Sequence, residues 1–362
     1  MNTLEVNIKS QDKKYPIYIG DIGFADLKKK ILKECSDKNY IIVFSRKVYK
    51  LYSKELNFPK DRIFVLNDGE KEKNYKNYIK ILNFALSKKL KREDYIIAIG
   101  GGVVGDIAGF AASVYMRGIN FIQVPTTLLA MTDSSVGGKV AINTKYGKNL
   151  VGAFYQPNVV FINIKFLKTL DMNQYKSGLG EVVKYGFIEK NCADSNEFNL
   201  LNFLTENYEK ILSKDGYILE KLISACVRLK INVVEKDEKE SGLRKVLNYG
   251  HTYAHAIEKL TNYRKYTHGE CVIEGIKFAV NLAHKQNFID KEYQFLCMDI
   301  IQKFGYKPLK AFPANKYIPV MTTDKKAVGN YISFILPVGY AEVKEYRYTH
   351  EELLKLTGVS GV

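Results

Sequence analysis

Short apolar runs bounded by polar or glycine positions recur through the first half of the chain, at residues 40–44, 62–66, 95–99, 121–125 and 159–163. They are rich in Ile, Val, Phe and Tyr and predict strands. Between them, residues 75–90 and 103–115 carry apolar side chains at three- and four-residue spacing, which predicts amphipathic helices. Strand–helix alternation of this kind predicts a parallel sheet flanked by helices. Beyond about residue 169 the pattern changes. From Ser177 onward helical spacing dominates, and only 331–336 and 340–346 look like strands. The chain thus divides into an α/β domain over 1–170 and a mostly α-helical domain over 171–362, with no internal repeat or low-complexity segment.

A length of 362 residues agrees with two domains rather than one core. No apolar stretch of 18 residues occurs, and Met1 leads directly into a polar segment; neither a membrane span nor a signal peptide is expected, and the expected location is cytoplasmic. The five cysteines are scattered and odd in number, with no C-x-x-C pair, which argues against a disulfide frame and a thiolate zinc site. The net charge of +16 comes from 55 Lys and Arg against 39 Asp and Glu. Many of these charges cancel locally, as in Lys236 to Glu240, and no basic stripe with interleaved aromatics is present. The excess suits an anionic small-molecule substrate, steered by a positive field, better than nucleic acid.

Three segments carry candidate chemistry. The glycine loop Gly100-Gly101-Gly102-Val103-Val104-Gly105-Asp106 follows a predicted buried strand and opens a helix, so its amides and helix dipole suit a pyrophosphate. The same spacing also serves a plain strand-to-helix turn, and no acidic residue follows at the usual ribose-binding distance. The second segment runs from Val124 through Thr126, Thr127, Asp133 and Lys139 to Asn143, Lys148 and Asn149. It is dense in Gly, Ser and Thr, as expected of a ligand-lining surface. Lys139 and Lys148 offer ammonium groups to phosphate or carboxylate; singly, each reads better as a solvated surface lysine.

The third segment suggests a metal. Glu181 and Lys184 stand three apart and would share a helical face. His251 and His255 stand four apart, and His268 follows, so three of the chain's five histidines fall in one short span. Catalytic zinc takes three protein ligands and keeps one position open, which a His/His/Glu set satisfies. Spacing leaves open which two histidines bind, and ordinary hydrogen-bonded histidines remain the alternative. Arg228, Lys230 and Arg244 lie upstream, with Asp324-Lys325-Lys326 at the far end; a phosphate and a carboxylate would need several such donors.

Taken in order, these motifs resemble the 3-dehydroquinate synthase family of sugar phosphate cyclases over nearly the whole chain. The matching stretches are Asp68 to Lys73, Gly100 to Asp106, Pro125-Thr126-Thr127, Asp133 to Lys139, Gly147-Lys148-Asn149 and Gly180 to Gly186. Leu247 to Thr252, His255 to Glu258, His268-Gly269-Glu270 and Asp324-Lys325-Lys326 complete the set. The resemblance implies an α/β NAD-binding domain followed by a helical zinc- and substrate-binding domain. It implies that Glu181, His251 and His268 hold zinc, with cobalt a possible substitute. NAD contacts fall on Asp68, Gly69, Glu70, Lys71, Glu72, Lys73, Gly102, Val103, Val104, Gly105, Asp106, Thr126, Thr127, Lys139, Lys148, Phe166, Leu167, Lys168 and Thr169. Substrate contacts fall on Asp133, Lys139, Asn149, Lys184, Lys230, Arg244, Asn248, His255 and one of Lys325 and Lys326, with Lys326 preferred. Arg117 would reach into a partner's site, implying a homodimer. In one departure from the family pattern, Ser45 stands where an aspartate often follows the second strand, which weakens the expected ribose contact.

The implied reaction converts 3-deoxy-D-arabino-heptulosonate 7-phosphate to 3-dehydroquinate and phosphate. It proceeds through transient oxidation by NAD, phosphate elimination, reduction and intramolecular aldol closure. Related readings are an inosose- or valiolone-forming cyclase, and a metal-dependent polyol dehydrogenase that would release NADH. No nucleic-acid or membrane partner is expected.

Overall fold

The computed structural model describes residues 1–194, 198–322 and 331–357. Two compact units are present: Met1–Leu170 with Leu219–Glu238, and Asp171–Ile218 with the chain from Lys239 onward.

In the first unit, seven strands form one sheet. They are β1 (Asn2–Ile8), β2 (Lys13–Gly20), β3 (Tyr40–Ser45), β4 (Ile63–Leu66), β5 (Tyr95–Gly100), β6 (Asn120–Pro125) and β9 (Val159–Asn163), in the order β1-β2-β9-β6-β5-β3-β4. The five apolar runs that predict strands all lie in this sheet, although β4 at its edge is mostly half-buried. β1 and β2 are not among them: here Glu5, Asn7, Lys13 and Lys14 interrupt the apolar pattern at an exposed edge. β1 pairs antiparallel to β2, so the sheet is mixed at that edge and parallel elsewhere. Helices α1 (Phe24–Cys35), α2 (Arg46–Leu56), α3 (Tyr75–Ser87) and α4 (Gly102–Val114) connect the strands. Helix α4 buries Val104, Ile107, Ala108 and Ala111 against Ile96, Ala98 and Phe121 of the sheet. Burial on this scale, about 25 cal/mol per Å² of apolar surface, is what holds the strand ends in place.

The polar segment after β6 is more ordered than its composition suggests. Residues Ala130–Ser134 form a π-helical turn, and β7 (Lys139–Thr144) with β8 (Gly147–Phe154) makes a separate antiparallel hairpin. Val140 and Ile142 of β7 enter the α4 core, whereas most of β8 is exposed.

Helices α5 (Met172–Phe187), α6 (Glu189–Cys192), α7 (Leu200–Leu212), α9 (His251–Leu260), α10 (His268–Lys285), α11 (Lys291–Lys303), α12 (Ala314–Thr322) and α13 (His350–Thr357) belong to the second unit. They are joined there by one hairpin, β10 (Tyr331–Gly339) and β11 (Glu342–Thr349). Helix α8 (Gly216–Lys236) leaves this set, most of its length grouping with the first unit. Its polar end explains why: Glu235 accepts from the Asn7 amide at 2.6 Å, and Glu238 accepts from Gln11 at 2.6 Å and from buried Gln156 at 2.9 Å. All five cysteines are buried, and none forms a disulfide. No helix among the described residues is long and apolar enough to cross a membrane.

Candidate functional site

Helices α5, α9 and α10 each bring one donor to a common point in the second unit. Glu181 comes from mid-α5, His251 from the first residue of α9 and His268 from the first residue of α10. One ligand atom from each lies within 4.8 Å of the others. Glu181 Oε1 stands 3.6 Å from His251 Nε2 and 3.5 Å from His268 Nε2. Tetrahedral zinc with bonds of about 2.1 Å sets its ligand atoms about 3.4 Å apart, so the three donors fit such an ion.

Neighbouring groups orient both imidazoles. His251 donates from Nδ1 to the Tyr249 carbonyl at 3.1 Å, and His268 Nδ1 faces Glu258 Oε1 at 3.2 Å. With Nδ1 so engaged, each Nε2 is left facing Glu181. Lys184, buried one turn after Glu181, pairs with the other oxygen of that carboxylate. Glu258 places a second carboxylate beside His268. Burial alone would lower the His268 pKa, but hydrogen bonds and charges from Glu181 and Glu258 outweigh it and raise it to about 10.

Glycines let the three helices approach closely enough. A Cβ on Gly180, next to Glu181, would meet the Gly269 carbonyl at 2.6 Å, and one on Gly269, next to His268, would meet the Ser177 carbonyl at 2.1 Å. Gly250, next to His251, has φ +78°, and its carbonyl lies 1.8 Å from where a Gly275 Cβ would stand. Each metal-donor candidate therefore sits beside a backbone contact that only glycine permits.

Further candidates belong to the same unit. His255 is half-buried, with its ring 5.5 Å from that of His251. It is not one of the three converging donors, although its i, i+4 relation to His251 makes it the more obvious partner. Arg244 is fully buried, and Asn248 donates to Glu240 at 2.6 Å. Lys325 and Lys326 lie outside the described residues.

In the first unit, the glycine loop joins the end of β5 to α4, beside Thr126 and Thr127 at the end of β6; the Thr126 amide donates to Gly100 at 2.9 Å. Strand ends of a parallel sheet are where nucleotides bind. Side-chain bulk is limited here, since a Cβ on Gly101 would meet Thr127 at 3.0 Å and one on Gly102 would meet Ser134 at 3.1 Å. Asp106 pairs with buried Lys73 at 2.9 Å, and Glu70 is 3.2 Å from the same ammonium. Burial pushes the Asp106 carboxyl above its ordinary range despite Lys73. Burial alone would lower the Lys73 pKa, but Asp106 and Glu70 overcome it and raise it. Asp68, Gly69 and Lys71 are exposed, and Glu72 accepts from Asn77 at 2.8 Å.

Lys230 of α8 pairs with Asp133 at 2.8 Å. Lys139 and Asn149 are exposed, and Lys148 is half-exposed. Of the segment 166–169, Phe166 and Leu167 are buried, Phe166 packing on Phe24 and Tyr52 with ring centroids 5.2 and 5.1 Å away. Thr169 bonds the Tyr52 hydroxyl at 2.5 Å and Lys168 is exposed. The buried Ser45 hydroxyl caps α2, accepting from the Val48 amide at 3.3 Å. Arg117 is exposed in a left-handed run with Met116 and Gly118.

Two site groups lie in stretches that the sequence singles out without marking a role for them. Glu258 lies two turns after His251 on α9, a spacing that could have marked it as sharing that face. Asn143 links several candidates but belongs to no motif of charged or metal-binding type.

The fold is that of the sugar phosphate cyclases. It matches a crystal structure of 2-deoxy-scyllo-inosose synthase complexed with carbaglucose-6-phosphate, NAD+ and Co2+, at TM-score 0.83 and 24% identity, over 99% of this chain and 100% of that one. The sequence narrows the class. Residues 63–177 match the family model described as 3-dehydroquinate synthase N-terminal, and residues 178–327 the one described as 3-dehydroquinate synthase C-terminal. The 3-dehydroquinate synthase of Alkaliphilus metalliredigens (strain QYMF) is 44% identical over 98% of this chain and 97% of its own. That of Dictyoglomus thermophilum (strain ATCC 35947 / DSM 3960 / H-6-12) is 43% identical over 94% of both. This chain belongs to the 3-dehydroquinate synthase family.

Proposed function

We propose that this chain is a cytoplasmic, homodimeric carbon–oxygen lyase that converts 3-deoxy-D-arabino-heptulosonate 7-phosphate to 3-dehydroquinate and phosphate. The observation that carries the reading is the three-donor group Glu181, His251 and His268. It stands in a chain whose relatives at 43% and 44% identity bear that enzyme's name. Zinc, with cobalt as a substitute, would be held by those three residues in the domain over 171–362. NAD would lie along Asp68 to Lys73, Gly102 to Asp106, Thr126, Thr127, Lys139, Lys148 and Phe166 to Thr169 in the domain over 1–170. When bound, NAD would accept and return the C5 hydride, making the C6 proton acidic enough for phosphate to leave, while the metal ion would polarise the substrate hydroxyls.

The chain's own groups bind and orient. Lys139, Asn149, Arg244 and His255 would surround the departing phosphate, supplying charge-assisted hydrogen bonds as its negative charge grows. Lys230 and one of Lys325 and Lys326 would hold the substrate carboxylate, a group that the carbaglucose-6-phosphate bound by 2-deoxy-scyllo-inosose synthase lacks. Asp133 keeps the Lys230 ammonium in place at 2.8 Å. Lys184 would tie Glu181 to the substrate hydroxyls, Asn248 would fix the sugar chain, and His255 would relay protons. Arg117 would act in the partner's site. The surplus of positive charge attracts this doubly anionic substrate and requires no nucleic-acid partner.

The test is phosphate release from the heptulosonate phosphate with NAD present in catalytic amount. Many phosphates per NAD, with no build-up at the reduced-nicotinamide band, are expected. Stoichiometric NADH would reassign the chain to a dehydrogenase.

A further inference from the structure

The β7–β8 hairpin carries an irregularity at a telling place. Ile142 pairs with Val151 and Thr144 with Gly147, so Asn143 alone stands opposite Lys148, Asn149 and Leu150. A bulge of this kind removes ladder partners and turns side chains out of the strand plane. Lys148 and Asn149 are two of the residues so displaced, and Asn149 has φ +54°.

Asn143 compensates for the broken ladder. Its backbone amide donates to the Lys73 carbonyl at 2.8 Å, and Asn74 and Asn143 form a parallel bridge. Its side-chain amide donates to Glu70 Oε1 at 2.7 Å, and its side-chain oxygen accepts from the Asn149 backbone amide at 3.0 Å. Glu70 also pairs with Lys73, which holds Asp106 at the head of α4. One side chain thus spans the loop assigned to the dinucleotide and the bulge assigned to the phosphate.

We infer that Asn143 is a positioning residue that couples the dinucleotide-binding loop to the substrate-binding bulge, setting both Glu70–Lys73 and Asn149. This deepens the proposed function and rests on it. Asn143 is assigned no contact with either ligand. It acts by fixing an exposed left-handed residue on one side and a carboxylate on the other, each of which would otherwise sample several conformers.

The experiment compares the wild-type chain with Asn143→Ala and Asn143→Asp. Alanine removes these side-chain bonds, together with a longer one from the same amide to the Glu70 carbonyl at 3.3 Å. It should raise KM for NAD and for the heptulosonate phosphate each about tenfold, the factor corresponding to about 1.4 kcal/mol, with kcat nearly unchanged. Aspartate keeps the acceptor for Asn149 but sets a carboxylate against Glu70. It should weaken NAD about tenfold and leave the substrate KM within about twofold. A residue that merely stabilises the fold would lower the melting temperature and the active fraction without this split. Unchanged KM values in the alanine variant, or equal effects of Asp and Ala on both ligands, overturn the inference. Calorimetric titration of NAD needs no turnover. A wild-type chain that binds NAD but releases no phosphate would therefore count against the reaction, while the NAD affinities of the variants would still decide the role of Asn143.

Discussion

Glu258 Oε1 lies 3.2 Å from Nδ1 of His268, although the two residues come from different helices. Helix α9 therefore serves the donor group twice, presenting His251 at its first turn and, two turns later, the carboxylate that orients the other imidazole. A carboxylate behind a metal-binding histidine fixes its tautomer and increases its basicity. Glu258→Ala should lower metal affinity by about 10- to 100-fold while leaving the helical content intact. Competition against a chelator of known affinity measures it, and an unchanged constant would reduce Glu258 to an ordinary buried acid.

The proposed function expects the histidines to separate by role. Converting His251 to Ala should leave two donors, too few to retain zinc through gel filtration. His255→Ala should retain full metal content and lose rate, because its ring stands beside the donor group without joining it. Metal analysis of both purified variants decides; zinc kept in the first or lost in the second would reverse the assignment.

How far the sequence reveals this arrangement depends on how local each signal is. Strands such as 95–99 and 159–163 announce themselves because both faces are buried, and an uninterrupted apolar run is a local property. The edge pair β1–β2 stays hidden, since one side meets solvent and accepts Lys and Glu. The donor group is only half visible. His251 and His255 form the conspicuous i, i+4 pair, yet convergence depends on Gly180, Gly250 and Gly269 bringing three helices together, and no spacing rule encodes that. Family resemblance supplies the choice of His251 and His268. It places Glu258 in a matching stretch but gives neither Glu258 nor Asn143 a role, and those roles emerge only when hydrogen-bond partners distant in sequence meet.

The Lys73–Asp106 pair gives a stability prediction. Both side chains are largely removed from water, and Glu70 is the second counter-charge to the ammonium. Asp106→Ala leaves Lys73 buried beside one partly exposed carboxylate. The expected loss is about 3 kcal/mol, the lower end for breaking a buried ion pair, because Glu70 remains. Denaturant unfolding reads the stability. NAD affinity should fall in the same variant, and a loss below about 1 kcal/mol would show that the pair is well solvated.

Helix spacing offers the sharpest test of how the metal donors are assembled. A methyl group on Gly275 would stand 1.8 Å from the Gly250 carbonyl, so α9 and α10 must part for it to fit. The obstacle is backbone rather than a movable side chain, and overpacking of that kind costs about 1–3 kcal/mol. Parting the helices moves His251, which directly follows Gly250, away from His268 on α10. Gly275→Ala should therefore lower both stability and metal affinity, although residue 275 is itself no donor. Gly339 is the natural control, since a methyl group there would meet nothing within 4 Å. Gly339→Ala should alter stability by no more than about 0.5 kcal/mol. Chelator competition and thermal unfolding on the two variants separate the outcomes. If Gly275→Ala loses stability yet keeps wild-type metal affinity, close approach of the helices serves packing alone and the donors adjust independently of it.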